Sequence, residues 1–421
     1  MFKGKEENLI LKLPFGFRDI FPVEARERRE IEDILKEEFT CWGYGEVRTP
    51  VIEFTRNISA GVGQDWKDKL ISFFDNDGNI VSLRGDMTVP IARLTGMRIK
   101  PEQLPARFFY LANSFRQSDL QKGKKRVLNQ AGLEFIGAEG ITSDIEILNI
   151  LVNILIKLKI KDFRIAIGNI RFVEGASEWL GLDGKRFKAL KACLLNRDLV
   201  LLEELLQKKD KAKVKLFFEL IKPATDAGFL RDFCLEAPDR KMASSLNYLI
   251  EIYNLLESIG FSENLIIDLG IIRDFDYYSG MIFEVYARQT TELLGSGGRY
   301  DGLVGKFGLN VPATGFALDV DILHQALRDS EIYKKTGSKK LIIAADSRDC
   351  SDVLKLAEKL RNEGNNVELF FDNGKAIEEL CLSRKADAVY EADFSKNEIK
   401  VTDFSNDYKD KNVRRIRFEG D

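Results

Sequence analysis

"FRQSDLQKGKKRVLNQAGLEFIG", residues 115–137, is the second half of a pattern that begins upstream in "ARFFYLANSFRQSD". Apolar and polar residues alternate into Arg116, a short polar loop "LQKGKK" follows, and "VLNQAGLEFIGA" returns with the same alternation. Two alternating runs around a polar loop predict a long antiparallel hairpin. Glu134 falls among apolar neighbours on the returning strand, so the pattern buries a carboxylate. A buried charge needs a partner or a ligand. The basic stretch "QKGKKR", with Lys124 and Arg126, reads by itself as a solvated loop, with phosphate binding as the sharper alternative.

Working outward, "LISFFDNDGNIVSLRGD" (70–86) predicts a second hairpin turning at Asp77-Gly78. "GEVRTPVIEF" (45–54) alternates like a strand, with Pro50 at an edge or bend. "FPVEARERREIEDILKEEFTCWGY" opens a helix near Pro22. Downstream, "SDIEILNILVNILIKLKI" predicts a helix capped by Ser143 or Asp144, and "DFRIAIGNI" a short strand. Residues of about 171–262 turn Leu- and Lys-rich and predict an all-helical insertion. Strand signals return in "LIIDLGIIRDFDYYSGMIFEVYA" (265–287). "GSGGRYDGL" (295–303) reads as a glycine-rich turn, and "ATGFALDVDILHQALRD" as a strand running into a helix. Beyond the polar linker "SEIYKKTGSKK" (330–340), strands and helices alternate through "GKAIEELCLSRK" and "ADAVYEA" as in a small α/β unit with a parallel sheet. The expected class is therefore α+β: an antiparallel sheet flanked by helices over residues 1–328, interrupted by the helical insertion, then a small α/β domain over 338–421.

Composition narrows the function. Length alone, 421 residues, implies two or three domains. Lys+Arg 64 against Asp+Glu 67 leaves a net charge of -3, which argues against general nucleic-acid binding. The apolar-rich run "ILNILVNILIKLKI" is interrupted by Asn149, Asn153, Lys157 and Lys159, so a core helix is expected there and not a membrane span. The first residues carry charges within their apolar stretch and show no small-residue cleavage site, so no secretory signal is expected. Cys41, Cys193, Cys234, Cys350 and Cys381 are scattered and form no C-x-x-C, consistent with a reduced, cytoplasmic protein. The single histidine, His324, excludes a multi-histidine metal site and makes His-driven acid–base chemistry a poor reading. Chemistry falls to Arg, Lys, Asp, Glu, Tyr and backbone; no cofactor and no metal are expected.

Asp86, Glu134, Arg273 and Asp276 are charged residues placed where strands are half buried, the last two beside Tyr277 and Tyr278. Together they suit an amino-acid pocket: a carboxylate for the ligand ammonium, an arginine fork for its carboxylate, a carboxylate and a phenol for a polar side chain. The plain alternative is that these groups form structural ion pairs among themselves.

These stretches resemble the histidyl-tRNA synthetases, a class II synthetase family, over most of residues 10–325. "PFGFRDIFPVEA" resembles the family's opening, and "GYGEVRTPVIE" its first class motif, at the dimer interface. "FRQSDLQKGKKRVLNQAGLEFIG" resembles the second, the ATP hairpin; "RDFDYYSGMIFE" and "GGRYDGL" resemble two histidine-specific stretches; "GFALDVDIL" (315–323) stands at the third motif. The resemblance implies a class II fold, and implies that Asp86 holds a histidine amino group with Thr88 and Gln130 beside it. It further implies that Glu134 and Tyr278, next to Tyr277, read the imidazole, and that Arg273 holds the carboxylate. Arg116, Lys124 and Arg126 are the residual nucleotide-site positions. Two departures stand out: Ser118 replaces the second motif's glutamate, and Asp319, Val320, Asp321 and Ile322 replace its Gly-x-Glu-Arg in the third. Losing a charge-assisted phosphate contact removes roughly 1.5–3 kcal/mol, and Asp319 would add bulk and negative charge near a triphosphate. The resemblance thus implies a retained pocket without activation chemistry. "LRGDMTVPIAR" (83–93) resembles a branch of synthetase paralogues, the regulatory subunits of ATP phosphoribosyltransferase, with Gly85 in place of their usual proline. That branch implies a non-catalytic subunit that takes histidine as effector, self-associates as a dimer, and joins a short-form catalytic subunit in a hetero-octamer for the first step of histidine biosynthesis. The tail from about 340 resembles a shortened anticodon-binding domain and lacks a dense basic and aromatic run. An active divergent synthetase and a tRNA-binding regulator are the alternatives.

Overall fold

The computed structural model describes residues 12–117, 125–225, 227–235, 237–328, 339–371, 383–404 and 411–417. The chain divides into two compact units, Met1–Ile332 and Tyr333–Asp421. The first opens with helix α1 (Pro22–Cys41) and the two-residue strand β1 (Gly45–Glu46). Proline at the start of α1 removes only a backbone donor that the first turn leaves unpaired anyway. A small antiparallel sheet, order β2-β4-β3, comes from β2 (Ile52–Phe54), β3 (Ser72–Phe74) and β4 (Ile80–Leu83), with α2 (Thr55–Val62) after β2 and α3 (Thr88–Arg98) after β4. The hairpin of β5 (Ala106–Phe115) and β6 (Val127–Ile136) leads to α4 (Ile141–Lys157) and β7 (Phe163–Asn169). Then come α5 (Ile170–Trp179), α6 (Gly184–Leu195), α7 (Leu199–Leu206), α8 (Lys211–Leu220), α9 (Gly228–Leu235) and α10 (Arg240–Ser258). The unit closes with β8 (Leu265–Ile267), β9 (Met281–Ala287), β10 (Gly295–Arg299), β11 (Ala313–Asp319) and α11 (Val320–Ala326).

Eight strands form the main sheet in the order β1-β5-β6-β11-β10-β9-β7-β8. Its inner pairs from β5 to β7 are antiparallel, and only the edge pairs β1–β5 and β7–β8 are parallel. Period-2 alternation sends Phe109, Leu133, Phe316 and Phe283 to one face. Phe39 of α1 packs there, with ring centroids 5.4 Å from Phe109 and 6.1 Å from Phe316. Helix α4 is apolar nearly all round because it is buried nearly all round, from Ile147 to Leu155. Among the described residues no helix is long and apolar enough to cross a membrane.

Several local expectations change. The run 45–54 is not one strand: β1 and β2 are separated at residues 47–51, where Pro50 withholds a ladder donor. Helix α4 is capped by Gly140; Ser143 and Asp144 lie inside its first turn, and Asp144 is buried against Arg299 (2.8 Å) and Tyr248. The stretch 265–287 holds two strands and a long loop, so Arg273 and Asp276 lie on a loop and not on a strand. "GSGGR" is not a turn but strand β10, paired on both sides. A Cβ at Gly297 would fall 2.3 Å from the Gly315 carbonyl and 2.6 Å from the Phe283 ring, so this strand tolerates no side chain there.

The second unit carries β12 (Lys340–Ala345), α12 (Cys350–Asn362), β13 (Asn366–Phe371), β14 (Ala388–Asp393), β15 (Glu398–Phe404) and β16 (Lys411–Arg417). Its sheet, order β13-β12-β14-β15-β16, is mixed and not purely parallel: β12 pairs parallel with β13 and β14, while β14, β15 and β16 run antiparallel. Most of "GKAIEELCLSRK", with Cys381, lies outside the described residues; Cys41, Cys193, Cys234 and Cys350 are free thiols.

Candidate functional site

The site is built on the sheet face opposite α1. Register places Gln130, Gly132 and Glu134 of β6 against Asp319, Ala317 and Gly315 of β11, then Ser296 and Gly298 of β10, then Glu284 and Ile282 of β9. The middle of this floor is glycine, alanine and serine, which leaves room for larger groups to lie flat across it. Glu134 lies over Gly315, where a Cβ would fall 2.1 Å from its Oε2, and Tyr110 lies over Gly132, where a Cβ would fall 2.4 Å from its hydroxyl.

Two segments complete the walls. Asp86 lies between β4 and α3, and Thr88 begins α3. The loop between β8 and β9 carries Arg273, Tyr277 and Tyr278. Glu134 accepts from the Thr88 hydroxyl at 2.8 Å and from the Tyr300 phenol. The Tyr277 phenol reaches Asp86 at 3.5 Å and its ring packs against Tyr278, Tyr300 and Phe275. Arg273 donates to Glu284 at 2.7 Å. Arg116 donates to the Gly85 carbonyl at 2.9 Å and lies with its guanidinium 5.0 Å from the Trp66 ring and 5.4 Å from the Phe275 ring.

Burial sets the electrostatics. Asp86 (4 % exposed) and Glu134 (1 %) lie on one site. Burial pushes Asp86 up to about 6, opposed by the Arg116 charge. Burial likewise pushes Glu134 up to about 8; hydrogen bonds from Tyr300 and Thr88 work against it and the nearby Asp86 adds to it. Burial lowers Arg116, and Asp86 opposes that shift. Three buried polar atoms of this constellation have no hydrogen-bond partner among the described residues: Asp86 Oδ1, Gln130 Oε1 and Arg273 Nε. They offer two acceptors and a guanidinium donor, a set matched in kind to a zwitterionic ligand.

The structure thus brings Asp86, Thr88, Glu134, Arg273, Tyr277 and Tyr278 together, with Gln130 on the same floor. Asp276 does not join them: it is exposed and paired with Lys191 at 2.9 Å. Tyr300, Tyr110, Glu284, Trp66 and Phe275 were missed. Glu284, a lone carboxylate in the apolar run "MIFEV", carries the same signal that singled out Glu134.

Of the residual nucleotide positions, Lys124 lies outside the described residues, as does Ser118. Arg126 packs on the Phe15 ring at 5.9 Å. Asp319 caps α11, accepting from the Asp321 and Ile322 amides at 2.8 and 3.3 Å. Burial pushes Asp319 up to about 6, with Asp321 adding and Lys125 opposing. Asp321 pairs with Arg28 of α1 at 2.7 Å and with Lys125 at 3.2 Å. Ile322, at the arginine position of the third motif, is 2 % exposed and belongs to the core.

A mixed sheet of this order, with its long hairpin, a small-residue floor and a loop carrying Arg273 beside two tyrosines, is that of the histidyl-tRNA synthetase class of domain, and the model for that family matches residues 16–323. Curated relatives place the chain more narrowly. An ATP phosphoribosyltransferase regulatory subunit of Moorella thermoacetica is 36% identical over 86% of this chain and 92% of its own length. One of Thermoanaerobacter pseudethanolicus is 32% identical over 88% of this chain and 97% of its own. The chain belongs to the family of ATP phosphoribosyltransferase regulatory subunits. Among solved structures, an "ATP phosphoribosyltransferase regulatory subunit/histidyl-tRNA synthetase" from Bacillus halodurans superposes with a TM-score of 0.78 at 28% identity, covering 89% of this chain and 96% of that one. A histidyl-tRNA synthetase from Nostoc, 18% identical, gives a TM-score of 0.78 over 97% of both chains and shows the shared fold.

Proposed function

We propose that this regulatory subunit binds free histidine at the floor of the main sheet and conveys feedback to a separate, short-form catalytic subunit. In this reading Asp86 and Gln130 receive the ligand ammonium, Arg273 takes its carboxylate through Nε, and Glu134 with Tyr278 meets the imidazole. The observation that carries it is the set of unpartnered buried atoms on Asp86, Gln130 and Arg273. The chain is itself non-catalytic: the motif position that grips phosphate holds a core isoleucine, Ile322, and Asp319 is engaged in capping α11. A cytoplasmic hetero-octamer built on a self-dimer is the assembly this family reading entails. Titration calorimetry tests the proposal. Histidine binds without ATP; Arg273→Ala weakens binding roughly 10- to 100-fold, the weight of a charge-assisted bond, and Glu134→Gln also weakens it. Full affinity in both variants would remove the site assignment. Histidine-dependent ATP–pyrophosphate exchange is absent; robust exchange would make the chain an active synthetase instead.

A further inference from the structure

The loop that carries Arg273, Tyr277 and Tyr278 is tied at both ends to one helix of the insertion. Near its start, Asp268 is 2 % exposed and accepts from Arg197, just beyond the end of α6, at 2.6 Å. Near its end, Asp276 accepts from Lys191 of α6 at 2.9 Å. Between these ties, Gly270 packs on Ile221, whose Cβ would lie 3.2 Å from an added Cβ there; just before the first tie, the backbone of Ala224 bridges to Ile267 of β8. Asp268 also accepts from the Gly270 amide at 3.0 Å, which fixes the first bend of the loop.

Arg197 stands in the left-handed turn that ends α6. Its φ is +55, the left-handed region that glycine fills best at a helix C-terminus. The turn is closed by backbone bonds from the Asp198 amide to the Cys193 carbonyl at 2.9 Å and from the Arg197 amide to the Leu194 carbonyl at 3.1 Å, so the end of α6 is fixed by its own backbone. The Arg197 side chain reaches from the insertion to Asp268, and it lies close enough to Glu284 and Tyr286 for their charges to act on it. Glu284 is the group that holds Arg273 by one guanidinium nitrogen, leaving Arg273 Nε unpartnered for a ligand.

We propose that Arg197 and Lys191 are positioning residues of the ligand site, and that α6 thereby senses whether the site is occupied. They grip the two ends of the ligand loop from the insertion, so a ligand that fixes Arg273, Tyr277 and Tyr278 also fixes α6, and a loosened α6 slackens the site. The inference rests on the ligand reading above, with L-histidine as the probe.

Hydrogen exchange of the full chain tests it, with and without L-histidine. The variant pairs Arg197→Gly with Lys191→Ala; glycine suits the left-handed position, so the helix end is preserved while both ties are lost. Without ligand, amides of 268–280 in the variant exchange about tenfold faster than in the wild type. With histidine raised until each protein is saturated by calorimetry, amides of α6 slow about tenfold in the wild type and stay unchanged in the variant. Lys191→Asp alone loses the slowing, and adding Asp276→Lys, which re-forms the exposed pair in reverse, restores it. Unchanged loop exchange in the unliganded variant overturns the proposal whether or not histidine binds. Slowing of α6 that persists in the variant, or never occurs in a wild type that binds histidine, overturns it too. If wild type shows no histidine binding, the ligand reading fails, and the unliganded comparison alone decides the two ties.

Discussion

Glu134 concentrates the physics of the site in one residue. Its ordinary value of 4.5 rises to about 8 because the folded chain removes water from it. The folded state therefore holds a proton that the unfolded chain releases. Stability from this group is complete below the ordinary value and is lost as pH rises through about 8. The unliganded wild type is accordingly expected to lose urea midpoint between pH 5 and pH 8 relative to Glu134→Gln, which has no proton to lose; parallel profiles would refute the assignment. Asp86 adds a smaller slope of the same sign, from 3.8 to about 6. The glycine beneath the carboxylate is as constrained as the carboxylate. Gly315→Ala puts a methyl 2.1 Å from Glu134 Oε2 and 2.4 Å from the Leu133 carbonyl, so it is expected to displace that side chain, strain the β6–β11 pairing and abolish histidine binding in calorimetry; unchanged affinity would refute it. Glu134 was readable as a lone charge in an apolar run. The partners Thr88 and Tyr300 were not paired with it in advance, because their contacts cross 46 and 166 residues of sequence.

Elements show where local signals gave way to tertiary demands. The glycines of "GSGGRY" signal a turn by composition, yet pairing on both edges makes them strand β10. Their lack of side chains serves the floor of the site and the close approach of β11. Helix α4 begins at Ile141 with Gly140 as its cap, while Ser143 and Asp144, the two expected caps, turn to Arg299. Helix α11 shows the reverse, a local signal obeyed: Asp319 caps it in the ordinary way. Asp319→Ala is expected to cost about 1 kcal/mol of stability, the usual weight of an N-cap; chemical denaturation measures it. Asp319→Gly is expected to cost only a few tenths. Equal losses for the two would deny the capping role.

At the scale of the molecule, the insertion α5–α10 and the main sheet meet over the ligand loop, and the second unit folds as its own mixed sheet. A regulatory subunit works through linkage. If histidine alters affinity for the catalytic subunit by some factor, that subunit alters histidine affinity by the same factor. A coupling of about 1–3 kcal/mol, roughly 5- to 150-fold, is the expected size. Analytical ultracentrifugation of the two subunits across a histidine series, set against calorimetry of histidine with and without the catalytic subunit, is expected to return equal factors. Unequal factors would mean that histidine acts elsewhere in the assembly.

The amino-acid sequence by itself determined the class of fold, the hairpin at its centre, the helical interruption and the residue types of the pocket, because alternation, helix-length apolar runs and stranded charges are local signals. Tertiary structure alone decided which of those charges meet. It sent Asp276 outward to Lys191 and Asp144 inward to Arg299, gave Glu284 to Arg273, and made a strand of a glycine run. The reason is physical: a charge in a sequence declares only that it needs a partner, and the partner is chosen by which distant segments the packed sheet brings within a few ångströms.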